Sequence, residues 1–307
     1  MNGQKKIAII GSGAMGMLFG GYFSKAFDVT LVGRDPKKMD LIASEGLTIT
    51  ENDGTVNTYR PGAVADTRGM GPMDLVILFV KAGDSRAALT SNRHLIGETT
   101  VLLTLQNGAG HEALLKEFAK EEQVLIGTTQ QGSYKTADHA ICHSGGGSTA
   151  IGVITGNGDR FSWVRDAFET AGFPCELTDK VQGMIWNKLM INASSSVLSG
   201  VLQVAQGYVA ENEHAWAIAR KLIEEICAVA TASGYPFDKD EQTDRLMKHL
   251  KNAPGGFTSI YADIKAGRKT EVDVINGAVI AQGHKLGVPV TTHEIIVNMV
   301  KAMEGRK

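Results

Sequence analysis

The architecture of this chain follows from one segment near its start, Ile7-Ala8-Ile9-Ile10-Gly11-Ser12-Gly13-Ala14-Met15-Gly16. Its four leading apolar residues predict a buried strand, and the pattern over 14–26 predicts the helix that follows. The glycines fit G-x-G-x-x-G, in which the first permits a tight turn, the second lets the backbone approach a pyrophosphate, and the third lets helix and strand pack closely. The helix start adds N–H groups and the positive end of a helix dipole. We therefore predict a dinucleotide site formed by Gly11, Ser12, Gly13, Ala14, Met15 and Gly16.

Strand and helix patterns alternate through the first half of the chain. Short apolar runs, typical of strands that are buried on both faces, lie at 7–10, 29–32, 75–80, 101–105, 124–128 and 150–154. Helical patterns between these runs cover 14–26, 36–45, 84–92 and 110–120. Because strand, helix and strand follow one another in this rhythm, we expect right-handed βαβ units in an open parallel sheet.

The second half of the chain has a different character, because the strand patterns stop after about residue 180. Three glycines at 145–147 precede no helix and are interpreted as a loop rather than a phosphate cradle. Helical patterns then cover 181–200, 207–233, 239–251, 257–266 and 271–286, and Gly267 and Gly287 stand where glycine would end the last two. The predicted fold class is α/β: an N-terminal Rossmann doubly wound sheet with a second, all-helical C-terminal domain, divided as 1–180 and 181–307.

Composition narrows the class of protein. The 307 residues are enough for two domains, and 31 basic against 33 acidic side chains leave a formal charge of −2. No global field therefore attracts nucleic acid or anionic lipid, and no run approaches the ~20 apolar residues of a membrane helix. The three scattered cysteines lack metal-ligand spacing and suit reduced thiols. We expect a cytoplasmic protein with no metal, nucleic-acid or membrane partner.

The residues that follow the strands indicate which dinucleotide binds. Arg34 follows the second strand, where an arginine accommodates the 2′-phosphate of NADP and an acidic residue binds the ribose of NAD. Lys37 or Lys38 would add positive charge, and we predict NADPH, although Asp35 leaves NAD open. Further cofactor contacts are predicted just beyond later strands, at the rim where open α/β sheets bind ligands, by Lys81, Asn107 and Ala109. For the pair Asn107-Gly108, turn chemistry alone is an alternative explanation.

The helix predicted over 181–200 carries a polar stripe that either faces solvent or forms a polar wall. Steps of three and four residues place on one face Lys188, Asn192, Ser195 or Ser196, and Ser199. Further along, Thr270 and Asp273 predict a capping box, which would put Glu271 in the first turn of a helix. There a carboxylate would complement the helix dipole.

These motifs together resemble the ketopantoate reductase (2-dehydropantoate 2-reductase) family over nearly the whole chain. In chain order they are Gly11-x-Gly13-x-x-Gly16, Arg34, Val80-Lys81-Ala82, Gln106-Asn107-Gly108-Ala109-Gly110, Trp186-Asn187-Lys188-Leu189-x-x-Asn192, Thr258-Ser259-Ile260-Tyr261-Ala262-Asp263-Ile264 and Thr270-Glu271-Val272-Asp273-Val274-Ile275-Asn276-Gly277. The resemblance implies NADPH-dependent reduction of 2-dehydropantoate to pantoate, a step towards pantothenate and coenzyme A.

The resemblance also implies roles for individual residues. Lys188 would be the general acid and Glu271 its carboxylate companion, while Lys81 would lie near the nicotinamide and substrate. A lysine with the ordinary pKa of ~10.4 is protonated at neutral pH and can stabilise a developing oxyanion before it delivers a proton. The implied substrate contacts are Asn107, Lys188, Asn192, Ser196 and Ser259.

The chain departs from the family pattern at Ser196 and Gly256, where members commonly carry asparagine for the far end of the substrate. A paralogous reductase of another small 2-oxo acid therefore stays open. A dinucleotide-binding sensor is an alternative of a different class, but a sensor would need neither Lys188 nor Glu271. A β-hydroxyacid dehydrogenase also uses a lysine, yet it leaves the segment 270–277 unexplained. Family members differ in oligomeric state, and a homodimer is one state that the resemblance allows.

Overall fold

The structure is a computed structural model that describes residues 4–305, which form two compact units. The first unit contains 4–106 and 111–182, and the second contains 107–110 and 183–305. The sequence pattern predicts a single boundary near residue 180, with 107–110 in the first domain. Those four residues instead associate with the helical unit, because the backbone N–H of Ala109 donates to the carbonyl oxygen of Val274 at 3.1 Å.

The first unit contains all the strands of the described chain, with helices between them. The strands are β1 Lys6–Ile10, β2 Asp28–Val32, β3 Leu47–Thr50, β4 Val56–Tyr59, β5 Gly62–Val64, β6 Leu75–Leu78, β7 Val101–Thr104, β8 Val124–Thr129, β9 Gly132–Ala137, β10 Ala140–Gly145, β11 Thr149–Val153 and β12 Cys175–Leu177. The helices are α1 Ala14–Phe23, α2 Pro36–Glu45, α3 Ser85–Ser91, α4 His111–Leu115 and α5 Ser162–Ala171.

Eight of these strands form the main sheet in the order β12-β11-β8-β7-β6-β1-β2-β5. All of its pairs are parallel except β11 with β8. Every residue of β6 and β7 is buried, as expected for strands that are covered on both faces. The predicted parallel sheet is therefore confirmed, with β1 at the position where the chain changes direction across the sheet.

A second sheet of four strands, in the order β4-β3-β10-β9, was not predicted from the sequence. Its strands are short, and β4 and β9 carry mostly exposed or half-buried side chains, so they lack the apolar runs that mark the main sheet. The glycine segment predicted as a loop does connect β10 with β11, because Gly146 and Gly147 belong to neither strand.

The second unit is helical, as predicted. It comprises most of α6 Val181–Ile191, a π-helical turn Asn192–Ser196, α7 Val197–Leu202, α8 Gln206–Glu211, α9 Glu213–Ala232, α10 Lys239–Asn252, α11 Ser259–Lys265, α12 Asn276–Leu286 and α13 Thr291–Met303. The long α9 supplies the centre of the apolar core with Leu222, Ile223 and Ile226, all fully buried. Gly287 ends α12 at φ +68°, in the predicted capping position.

Several helix boundaries differ from the sequence prediction for identifiable reasons. Asn212 interrupts the helix predicted over 207–233, because its side chain accepts hydrogen bonds from the N–H groups that begin α9. The helix predicted over 271–286 begins only at Asn276. The helix α13 was not predicted. No helix within 4–305 is long and apolar enough to cross a membrane.

The predicted capping box at Thr270 and Asp273 is wrong. The Thr270 hydroxyl accepts a hydrogen bond from the N–H of Val272, not from that of Asp273. The Asp273 carboxylate instead pairs with Lys301 at 2.5 Å. Glu271 therefore lies in a turn before α12 rather than in its first helical turn.

Candidate functional site

The glycine-rich turn is held by close backbone contacts in the first unit. Gly11 has φ +121°, and a Cβ at this position would lie 2.7 Å from the carbonyl carbon of Phe79 at the end of β6. A Cβ on Gly16 would lie 1.7 Å from the carbonyl oxygen of Gly11. Both residues must therefore be glycine for β1, α1 and the end of β6 to approach one another as they do.

Gly13 differs from these two glycines, because no heavy atom lies within 4 Å of the position that its Cβ would take. It is exposed and directly precedes α1, a helix of ten residues. The first N–H groups of a helix have no acceptor within the helix and are suited to bind an anion. An open backbone at Gly13 followed by these N–H groups fits the pyrophosphate of a dinucleotide. The neighbouring predicted residues, Ser12, Ala14 and Met15, are half-buried around it.

This turn lies where open α/β sheets usually bind ligands. The strand β1 lies between β6 and β2 in the main sheet. From β1 the chain first adds β2 on one side, and it later returns to add β6 on the other side. The carboxyl ends of β1 and β6 meet at this switch point. Lys81 follows β6 and is exposed there, immediately before a short 3₁₀ turn, Ala82–Asp84.

Two basic residues after β2 have different surroundings. Arg34 has a side chain that is 86% exposed, and it pairs with Asp84 at 3.1 Å. Lys38 is buried, and its ammonium donates to the carbonyl oxygen of Ser12 in the glycine-rich turn. Burial lowers the pKa of Lys38 to about 8. Lys38 therefore braces the turn, which is a role that its position in the sequence did not reveal, whereas Lys37 is exposed.

The second unit brings together three of the predicted residues that lie far apart in the sequence. Asn107 Nδ2 stands 3.5 Å from Glu271 Oε2, which is a long hydrogen bond. The Glu271 carboxylate also acts electrostatically on Lys188 in α6. All three side chains are half-buried. A lysine, a carboxylate and an amide therefore form one polar cluster, named here the Lys188 cluster.

Burial lowers the pKa of Lys188 from its ordinary value to about 8, and the nearby negative charge of Glu271 opposes this change. The sequence-based expectation of an ordinary lysine pKa is thus corrected, because the loss of hydration outweighs the carboxylate. A group with a pKa of about 8 is still largely protonated at neutral pH but loses its proton easily. This balance suits a side chain that must deliver a proton and then recover it.

The polar stripe of α6 does not face solvent, so that alternative is excluded. Asn192 is half-buried, and the serines further along the stripe are buried. The π-helical turn Asn192–Ser196 adds a residue to the helical repeat, which changes the face that follows it. The hydroxyl of Ser195 donates back to the carbonyl oxygen of Ile191 at 3.3 Å, and that of Ser199 donates to Val204 at 2.6 Å. The regular spacing of 3.6 residues per turn therefore does not predict correctly which side chains share a face beyond Asn192.

Two residues without a predicted role hold the π-helical turn in place. Asn276 is fully buried, and its amide donates to the carbonyl oxygen of Ala193 at 2.8 Å. The hydroxyl of Thr258 donates to the carbonyl oxygen of Ser196 at 3.2 Å. Such bonds supply partners to carbonyl groups that a π-helical turn displaces from the regular ladder. In the sequence, the signal for these two residues was their occurrence in motifs of the family resemblance, Thr258 in 258–264 and Asn276 in 270–277.

The remaining predicted substrate residues lie next to this turn. Ser196 is its last residue and is buried. Ser259 is exposed at the first position of α11, after Thr258, whose side chain caps that helix by accepting from the N–H of Tyr261 at 3.1 Å. Within residues 4–305 no group of three or more His, Cys, Asp or Glu side chains could hold a metal ion.

Comparison with known proteins agrees with the residue pattern. The family described as "Ketopantoate reductase PanE/ApbA" matches residues 7–156, and "Ketopantoate reductase PanE/ApbA C terminal" matches 180–304. A protein of Halobacterium salinarum named 2-dehydropantoate 2-reductase is 30% identical over 93% of this chain and 95% of its own length.

Solved structures resemble both units. A D-mandelate dehydrogenase in a ternary structure with NADH and anilino(oxo)acetate is 27% identical, with a TM-score of 0.91 over 97% of this chain and 98% of that one. A PanE/ApbA family ketopantoate reductase from Ralstonia eutropha JMP134 is 26% identical, with a TM-score of 0.87 over 97% of this chain and 98% of its own. The chain belongs to the ketopantoate reductase family.

Proposed function

We propose that this chain is an oxidoreductase that uses NADPH to reduce 2-dehydropantoate to pantoate, a step towards pantothenate and coenzyme A. The observation that carries the proposal is the Lys188 cluster, in which Asn107 contacts Glu271 and the carboxylate of Glu271 acts on a half-buried lysine whose pKa burial lowers to about 8. The names of the relatives support a nicotinamide cofactor and a 2-oxo acid substrate. A sensor that only binds a dinucleotide would not need such a lysine.

The proposed cofactor site comprises the glycine-rich turn and the residues beyond neighbouring strands. The N–H groups after Gly13 would hold the pyrophosphate, and Arg34 would face the 2′-phosphate. A nicotinamide bound there would supply the hydride that reduces the ketone carbon. The cofactor residues in this proposal are Gly11, Ser12, Gly13, Ala14, Met15, Gly16, Arg34, Lys81, Asn107 and Ala109.

Lys188 is the proposed general acid. As the ketone carbon is reduced, negative charge grows on the carbonyl oxygen, and the Lys188 ammonium stabilises that charge. Lys188 Nζ then gives its proton to this oxygen, which completes the hydroxyl group of the product. Glu271 favours the protonated form of Lys188 and so helps to reload it from solvent.

Polar groups around the π-helical turn are proposed to bind the substrate. Asn192 follows Lys188 by four residues and begins the π-helical turn that continues α6. Ser196 ends the turn. Ser259 begins α11 directly after Thr258, whose hydroxyl donates to the carbonyl oxygen of Ser196. Convergent hydroxyl and amide groups of this kind bind a carboxylate and hydroxyls. The substrate residues in this proposal are Asn107, Lys188, Asn192, Ser196 and Ser259.

Glu271→Gln is expected to move the alkaline loss of activity to lower pH. Reduction requires protonated Lys188, so kcat/KM should be constant below its pKa of about 8 and fall as pH rises through that value. Without the carboxylate, the influence that raises the pKa of Lys188 is gone, and the fall should begin at lower pH. Full pH profiles of the two proteins test this. Asp273→Asn removes an exposed carboxylate nearby and should keep the wild-type profile, while superimposable profiles of Glu271→Gln and wild type would refute the role of Glu271.

Arg34→Ala is expected to weaken NADPH binding by about tenfold or more and to change NADH binding little, because a guanidinium gains charge-assisted hydrogen bonds only with the 2′-phosphate. Dissociation constants for both dinucleotides, measured by fluorescence titration, check this. Arg68→Ala, which removes the arginine of another exposed ion pair in the same unit, is the matched control and should leave both constants near those of wild type. Equal losses for both cofactors in Arg34→Ala would remove this residue from the 2′-phosphate site.

A second candidate function is reduction of a different small 2-oxo acid. The observations that favour it are Ser196 and Gly256, where the family commonly has asparagine, and the similarity to a mandelate dehydrogenase that binds anilino(oxo)acetate. A ratio of kcat/KM values over a panel of straight-chain, branched and aromatic 2-oxo acids decides between the candidates. The main proposal expects the highest value for 2-dehydropantoate. A higher value for any other acid would assign this chain to the second candidate.

A further inference from the structure

An ion pair joins the residue proposed for the 2′-phosphate to a carboxylate from another loop. Arg34 follows β2, and Asp84 ends the 3₁₀ turn after β6. The two nitrogens of the guanidinium fork lie 3.1 and 3.4 Å from the two carboxylate oxygens. This two-point contact matches the geometry by which an arginine grips a phosphate. The Asp84 carboxylate thus occupies the face of Arg34 that a 2′-phosphate would use.

The charged residues that follow Arg34 in the chain have different surroundings. The ammonium of Lys38 is turned to the carbonyl oxygen of Ser12 and is buried. Asp35 accepts a hydrogen bond from the N–H of Lys38 as the cap of α2, and it adds a second carboxylate next to Arg34. Lys37 is exposed. At the place where a dianionic phosphate would bind, Arg34 is therefore paired with one carboxylate, that of Asp84, and its sequence neighbour Asp35 carries another.

A carboxylate affects the two cofactors differently. It repels the 2′-phosphate of NADPH and competes with it for the guanidinium, whereas it can accept a hydrogen bond from the 2′-hydroxyl of NADH. The side chain of Asp84 makes no capping bond to α3, although it precedes that helix. Asp84 pairs instead with Arg34, and loss of its charge removes no capping bond from the helix.

We propose that Asp84 is a specificity-determining residue that restrains Arg34 and reduces the preference of this chain for NADPH over NADH. The inference rests on the proposed function, because it assumes that a nicotinamide dinucleotide binds at the glycine-rich turn. It differs from that function in assigning the degree of cofactor preference to a residue outside the glycine motif and outside the end of β2.

Asp84→Asn tests the inference, since it keeps the shape of the side chain and removes its charge. The variant is expected to bind NADPH about fivefold to tenfold more tightly, a gain in the range of one charge-assisted hydrogen bond on an exposed site, and to bind NADH within about twofold of wild type. Asp84→Ala should change the ratio of the two dissociation constants in the same direction. The gain should shrink at high salt, because ions screen exposed charges.

Two further variants make the result specific. Asp66→Asn removes the carboxylate of another exposed two-point ion pair in the same unit, with Arg68, and should leave both dissociation constants unchanged. Arg34→Ala with Asp84→Asn should lose the gain, because the fork through which Asp84 acts is absent. An unchanged or lower NADPH preference in Asp84→Asn would overturn the inference while leaving the proposed function intact. If wild type bound neither dinucleotide, the proposed function itself would fail, and the inference with it.

Discussion

Lys188→Ala is expected to lower kcat for reduction of the 2-oxo acid by about a hundredfold or more, the usual contribution of a positioned general acid. The KM for the substrate should change much less, because the proton is needed only as charge develops on the carbonyl oxygen. The half-buried ammonium is removed without replacement, and the Glu271 carboxylate beside it loses the positive charge that it faces. Steady-state rates of NADPH consumption give both constants.

Two controls separate proton delivery from positive charge and from general damage to the fold. Lys188→Arg keeps a cation at this position, but a guanidinium does not release its proton near neutral pH. We therefore expect a low kcat with a KM near that of wild type. Lys221→Ala removes an exposed lysine of α9 that pairs with Glu224, and it should leave kcat within about twofold of wild type. Full turnover in Lys188→Ala would rule out Lys188 as the acid.

Gly16→Ala is expected to destabilise the first unit and to abolish tight cofactor binding. Alanine ordinarily favours a helix over glycine by about 1 kcal/mol, so propensity alone would make this change stabilising. The new Cβ, however, would lie 1.7 Å from the carbonyl oxygen of Gly11, so β1 and α1 must separate. Overpacking of this kind costs about 1–3 kcal/mol or more, and it displaces the N–H groups at the start of α1 that would hold the pyrophosphate.

Gly13→Ala is the matched variant, because its Cβ would meet no heavy atom within 4 Å. Its melting temperature should stay near that of wild type, while NADPH binding weakens, since the methyl group stands where the pyrophosphate approaches. Thermal unfolding and cofactor titration of both variants check these outcomes. Tight NADPH binding in both variants would show that the dinucleotide does not bind at this turn.

The part of the fold that the sequence predicted well has strong and redundant signals. The run 7–10, the glycines and the helix after them gave β1 and α1 to within a few residues, because a buried strand, a required turn and a helix start all agree there. The second sheet was missed for the opposite reason. Strands such as β4 are four residues long with half their side chains exposed, and β3, with which β4 forms a hairpin, pairs on its other side with the distant β10.

In the candidate site, too, some features have a signal in the sequence and others depend on tertiary contacts. The roles of Lys188 and Glu271 are predicted from the family resemblance alone, whereas spacing also allowed a solvated stripe and a carboxylate that complements a helix dipole. The π-helical turn at Asn192–Ser196 was not predicted, because its stability depends on donors from Asn276 and Thr258, which are 62 or more residues away in the chain. Periodicity describes a helix in isolation and contains no information about such tertiary partners.

The most direct test of the central claim is an assay of purified wild-type chain with NADPH and 2-dehydropantoate, in which cofactor oxidation and product mass are followed together. The proposed function predicts NADPH consumption that depends on the 2-oxo acid, with one pantoate formed for each NADPH oxidised. Tight binding of NADPH with no oxidation by 2-dehydropantoate or by any other 2-oxo acid would contradict it and would favour a protein that binds the dinucleotide without catalysis.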